Sequence, residues 1–170
     1  MMGGSQTAID VGQCRKLAVI RPHGRCTALV CTGLRQYLQQ MIRPGVEDVY
    51  FDLSDAEWLD STFIGLLISY VQRKSDPQVP AIHLVRPSKA VLDNLGSMYV
   101  LPLFDVCDAP PEEPTGWTRL PDPAASAEQL ADVVVSAHES LIDADERNEA
   151  AFGGVVKTFR SEMDRERTDS

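Results

Sequence analysis

Asp60-Ser61-Thr62 is the run of this chain whose residue types and placement could do chemistry. A carboxylate and then a hydroxyl follow the strand-like segment Val49-Tyr50-Phe51-Asp52-Leu53, the turn-like Ser54-Asp55-Ala56-Glu57 and the apolar pair Trp58-Leu59. They open a helical run through Ile64, Leu66, Leu67, Ile68, Tyr70 and Val71. The plain assignment is a cap, in which Asp60 or Ser61 accepts a free N–H of the first helical turn. The same geometry suits a modification site. A phosphate on a hydroxyl at a helix N-terminus meets free amides and the positive end of the helix dipole, so the helix would survive it. It would add about −1.5 to −2 charges to one surface spot, which makes a reversible binding switch.

Other reactive side chains stand alone. His23, His83 and His138 have no Asp, Glu or Cys at metal-ligand spacing and read as structural or surface residues. Cys26-x4-Cys31 lacks partner histidines nearby, so Cys14, Cys26, Cys31 and Cys107 read as reduced thiols, with no metal and no cofactor implied. Nothing beside Cys107 would lower its pKa. No phosphate-cradling glycine loop and no kinase or hydrolase motif is present, so the chain reads as a non-enzyme.

Composition narrows the class. Hydrophobic residues make up 44% of the 170 and charged residues 24%, enough for a packed core and too apolar for wholesale disorder. No apolar run approaches the roughly 20 residues that span a bilayer, and Met1-Met2-Gly3-Gly4-Ser5-Gln6 lacks the pattern of a signal peptide. A cytoplasmic protein is the expectation. Residues 1–107 carry ten acids and ten Lys/Arg, whereas 108–170 carry fifteen acids and six. The whole net charge of −9 therefore sits in the second region, which speaks against nucleic acid as its partner.

The elements that must position Ser61 follow from periodicity. Leu17–Ile20, Val49–Leu53, Ala81–Val85 and Leu103–Val106 read as strands, the first closed by Pro22 and Gly24. Between them lie three amphipathic helices: one over 28–42, capped by Thr27, with Leu29, Val30, Leu34, Tyr37, Leu38, Met41 and Ile42 on its apolar face; one after Asp60; and one after Pro87-Ser88 carrying Val91, Leu92, Leu95 and Met98. Alternating strands and helices imply a mostly parallel or mixed α/β sheet of four to five strands with covering helices. Five prolines between Asp108 and Pro123 mark an extended linker over 108–125. Beyond it, residues 126–167 form an acidic amphipathic helical extension. Its seam runs through Leu130, Val134, Ala137, Leu141, Ala144, Asn148, Ala151, Val155, Phe159 and Met163, with a kink or break expected at Gly153-Gly154. Such a seam must bury its apolar face, either in cis or in a homodimer through the C-terminal helix.

Residues from about 8 to 107 resemble the STAS domains, the sulphate-transporter and anti-sigma-factor-antagonist family. The resemblance is carried by Phe51-Asp52-Leu53-Ser54, by Trp58-Leu59-Asp60-Ser61-Thr62 with Gly65-Leu66, and by Val85-Arg86-Pro87-Ser88 with the Leu103-Phe104-Asp105-Val106 ending. It implies a STAS fold for 8–107. By this resemblance Ser61 corresponds to a serine phosphorylated by an anti-sigma factor that is also a serine kinase, and a PP2C-type phosphatase reverses the step. The unphosphorylated form would bind the anti-sigma factor and free a sigma factor, which makes the chain a bacterial regulator of transcription. Asp60, Thr62 and Phe63 would line the partner surface together with Gly24 and Arg25 of the loop His23–Thr27. Phe63 replaces the family's first loop glycine and adds bulk there. Two further roles fit the same resemblance: a STAS scaffold that is not phosphorylated, and a STAS subunit of a lipid ABC transporter.

Overall fold

The computed structural model describes residues 6–121 and 124–170; Met1–Ser5 and the linker residues Asp122 and Pro123 lie outside it, as does the Met41 side chain. The fold is mixed α/β, and among the described residues the sheet has seven strands where four to five were expected. β1 (Ala8–Cys14) and β2 (Leu17–Cys26) form an antiparallel hairpin around Arg15, which takes a φ of +49°. Parallel to β2 run β3 (Asp48–Asp52), then β5 (Ala81–Val85), then β6 (Asp105–Cys107). The short β7 (Thr118–Arg119) pairs antiparallel with β1, giving the order β6-β5-β3-β2-β1-β7.

The seventh strand matters most for the site. β2 does not stop at Pro22 and Gly24 as expected. It shifts register between Gly24 and Arg25, Gly24 taking a φ of +72° that favours glycine. β2 leaves β3 after Ile20 and from Gly24 pairs with β4 (Ala56–Leu59), the shift lying inside that pairing; part of β4 reads as a turn in the sequence. The strand expected at 103–106 begins two residues later, as β6, after a 3-10 turn over Leu101–Leu103.

Alternation along the strands divides the core. Ala18, Ile20, Val49, Phe51, Ile82 and Leu84 face the helices. Leu17, Val19, Tyr50 and Val85 face the other way, into a thin cluster closed by Trp117 of the linker. The linker is therefore packed: Pro110 and Pro114 are buried, and Pro114 lies where a Cβ on Gly12 would stand.

On the helical face lie α1 (Ala28–Gln36), which widens into a π turn over Tyr37–Met41, and α2 (Ser61–Val71). α3 (Lys89–Ser97) packs near β4, with Ser88 capping it through Val91 N–H. α2 is buried continuously from Thr62 to Ile68, because a further layer covers it. That layer is α4 (Ala127–Ala144), which lies on α2 and α1 of its own domain; its Val133 and Leu141 join the main core. Burying each large side chain of this kind is worth roughly 1.5–3 kcal/mol.

The seam residues Val134, Ala137 and Leu141 are thus covered in cis. α5 (Asn148–Thr168) packs on α4 with Val155, Phe159 and Met163 half-buried. The break between the helices falls at residues 145–147, where Asp145 is extended; Gly153-Gly154 lies inside α5. At that break Asn148 is buried and donates to the Met98 and Leu141 carbonyls, which holds the hairpin against the end of α3. No helix among the described residues is long and apolar enough to cross a membrane.

Candidate functional site

β4 delivers Asp60 to the start of α2, and the Asp60 N–H donates to the Cys26 carbonyl at 3.0 Å. One oxygen of the Asp60 carboxylate accepts the Phe63 N–H at 2.9 Å and the other accepts the Ala28 N–H, also at 2.9 Å. A single side chain therefore caps α2 and ties the start of α1 to it. Thr27 caps α1 as the sequence implies, accepting from Leu29 N–H. Asp60 does the capping of α2, so Ser61, the first residue of the helix, has its hydroxyl free for something else.

That hydroxyl is taken by the C-terminal extension. Ser61 Oγ lies 2.8 Å from His138 Nε2 on α4. His138 Nδ1 lies 2.6 Å from the Val134 carbonyl, which only accepts, so Nδ1 carries a proton and donates. In the neutral ring Nε2 is then the acceptor, and Ser61 O–H donates to it. The imidazole is buried at 4% exposure and meets the Phe152 ring of α5 edge to face at 5.1 Å. Close packing of the backbones seats it there. A Cβ on Gly65 would come within 2.2 Å of the Ala137 carbonyl oxygen, so only glycine lets α4 approach α2 this closely.

A serine hydrogen-bonded to a histidine can serve as a nucleophile and its base. Here the orienting group is a carbonyl of the histidine's own helix, and Phe152 covers the ring. A cavity of about 330 Å³ lies elsewhere, lined by Ile9, Val30, Leu34, Arg119 and Leu120. The pair is a hydrogen bond between α2 and α4.

The expected partner residues separate into two groups. Thr62 and Phe63 are buried, Phe63 packing edge-on against Phe51 in the core, so neither side chain faces a partner in this conformation. The bulk at Phe63 is accommodated inside the domain. Gly24 is also buried and serves the register shift. Arg25 is exposed, with its guanidinium 5.5 Å from the centre of the Trp58 ring across the β2–β4 pair. Trp58 and Leu29, each beside residues bonded to Asp60, are exposed at 37% and 70%.

Of the side chains that the sequence leaves isolated, all three histidines have polar partners. His23 lies between Asp10 and Asp55, His83 between Asp48 and Asp105, and His138 on Ser61. None of these is visible from local spacing. Asp52, in the Phe51–Ser54 segment, is fully buried; Arg21 and Arg86 pair with it at 3.0 and 2.9 Å, and Ser54 donates from both hydroxyl and amide. Burial pushes its carboxyl up, but these donors outweigh burial and hold it below the usual carboxylate range. The four cysteines are free, and burial is the main influence that raises all four, Cys26 to about 12. Among the described residues no group of three or more His, Cys, Asp or Glu side chains is arranged to hold a metal ion.

No protein-family model and no curated protein matches the chain. Among solved structures it is similar to the anti-sigma factor antagonist SpoIIAA in its unphosphorylated form, at 18% identity and a TM-score of 0.49, over 61% of this chain and 90% of that one. It is also similar to the protein TM1081, solved by NMR, at 16% identity and a TM-score of 0.49, over 58% of this chain and 79% of that one.

Proposed function

We propose that the chain is a STAS-type anti-sigma factor antagonist, switched by reversible phosphorylation of Ser61 and acting in the cytoplasm of a bacterial cell. Its unphosphorylated form binds an anti-sigma factor that is also a serine kinase, and so frees a sigma factor. A PP2C-type phosphatase restores that form. One observation carries the reading: the hydroxyl sits on the first residue of α2 while Asp60 makes the cap. A phosphate there would leave the cap in place and would meet the positive end of the helix. The residues that support partner contact are Asp60 at the helix start and, around it, the exposed Arg25, Trp58 and Leu29. Pairing of two chains through α4 is not part of this reading, since the apolar face of α4 is already covered.

The Ser61–His138 contact favours a second reading, a STAS scaffold in which the hydroxyl only packs. Calorimetry against the anti-sigma factor of the same genome separates the two. Under the switch, Ser61→Ala binds as wild type and Ser61→Asp binds about thirtyfold more weakly, since an uncompensated acid in an interface costs about 2 kcal/mol. Equal affinities for the two variants leave the scaffold.

A further inference from the structure

The site proposed for phosphorylation is covered by the chain's own C-terminal hairpin, and that arrangement has a mechanical consequence. We infer that α4–α5 is a latch on Ser61: it seats only on the unmodified hydroxyl, and a phosphoryl group at Ser61 holds it off. The inference rests on the reading of Ser61 as a phosphosite.

Phosphorylation moves the γ-phosphoryl group of ATP to Ser61 Oγ. The bond from phosphorus to the β–γ bridging oxygen breaks, the Oγ–P bond forms, the hydroxyl proton leaves to a base of the kinase, and ADP departs. The proton lost is the one that Ser61 donates to His138. A phosphorus atom and three oxygens cannot occupy the 2.8 Å between that hydroxyl and the imidazole. The ring has little freedom to retreat, because Val134 holds its Nδ1 and Phe152 packs against it. Charge acts in the same direction. α4 carries four acids and neither Lys nor Arg; Asp132 and Glu139 are paired with Arg35 and Arg160, and Glu128 and Asp143 leave the helix negative toward a phosphate of about −1.5 to −2 charges.

The latch is a helical layer laid over the rest of the fold. α4 meets the domain through the buried Val133, Val134 and Leu141, through a close helix crossing at Gly65 and Ala137, and through side-chain bonds such as Arg35 to Asp132 and Gln72 to the Ser140 carbonyl. The sheet does not pair with it. Its departure uncovers the face of α2 that it covers, so phosphorylation would reshape the surface offered to a partner as well as its charge. By linkage, whatever factor the phosphate takes from the seating of α4, the seated α4 takes from the stability of the phosphate.

The test needs no kinase. Phosphoserine is built into position 61 of the full chain during synthesis, and amide hydrogen exchange is compared with the unmodified chain and with Ser61→Ala. The latch predicts exchange over 127–144 faster by about tenfold or more in the phosphorylated chain, with β2 and β3 unchanged. Ser61→Ala, which removes the bond without adding bulk or charge, raises exchange there by less than the phosphate does. Unchanged protection of α4 in the phosphorylated chain overturns the latch, since the phosphate has then turned outward. Loss of protection in β3 as well overturns it too, because the effect is then global. Neither result bears on whether a kinase modifies Ser61, which phosphate mapping decides separately.

Discussion

Gly65→Ala is a perturbation on which two physical effects predict opposite signs. In an ordinary helix interior the exchange gains about 0.5–1 kcal/mol, because glycine loses the most backbone entropy on folding. Gly65 faces the backbone of α4, where an added Cβ would stand 2.2 Å from the Ala137 carbonyl oxygen and 2.9 Å from its Cα. Both lie inside any real contact distance, and the obstacle is backbone that cannot turn aside. α4 must recede, which loosens Val133, Val134 and Leu141 against the layer below. Overpacking of this kind costs about 1–3 kcal/mol, and the lost contacts add to it. After the propensity gain, the variant should lose about 1–2 kcal/mol net. With a urea m-value of about 2 kcal/mol/M, the unfolding midpoint falls by about 0.5–1 M, followed by circular dichroism. A midpoint that rises would refute the reasoning, because propensity would then be the only effect and α4 could not be lying on α2.

Two further predictions rest on the acids beside the site. Asp60→Ala leaves the Phe63 and Ala28 N–H groups without their acceptor, and should cost about 1–4 kcal/mol by urea unfolding, at about 0.5–2 for each helix start; a loss confined to a few tenths would show that water replaces the carboxylate freely. Asp52, held below the ordinary carboxylate value, contributes stability that is fully present above the unfolded pKa of about 4 and is lost as pH falls through the lower folded value. The urea midpoint should therefore fall below about pH 4, and fall less steeply in Asp52→Asn; parallel pH profiles for the two chains would rule Asp52 out as a cause.

The parallel centre of the fold is legible in the sequence because its signals are local. Apolar runs mark β3 and β5, and Thr27, Asp60 and Ser88 each stand where a helix starts. The strands that escape are those defined by a distant partner. β1 alternates Ile9 and Val11 with Asp10 and Gly12, β4 is four residues with only Ala56 and Leu59 buried, and β7 is two residues within a proline-rich stretch. β4 exists because β2 changes partner at Gly24, which no window of sequence around residue 56 contains.

The helical extension shows the same division. Its seam keeps phase through residues 145–147, so periodicity runs across the real break and lends weight to Gly153-Gly154, which α5 absorbs. One signal of the cover over Ser61 is present in the sequence. Thr62 to Ile68 is apolar almost all round, and such a helix needs packing on both sides. The identity of the covering residue is not legible, because Ser61 and His138 stand 77 positions apart and only the fold brings them together.

The central claim is that Ser61 is where the switch is thrown. Incubating the full chain with ATP and the anti-sigma kinase of its own genome, then mapping phosphate by mass spectrometry, tests this directly. A single phosphate on Ser61, absent in Ser61→Ala and removed by a PP2C-type phosphatase, is the result predicted. Phosphate on another residue with Ser61 unmodified, or no transfer at all, would contradict it.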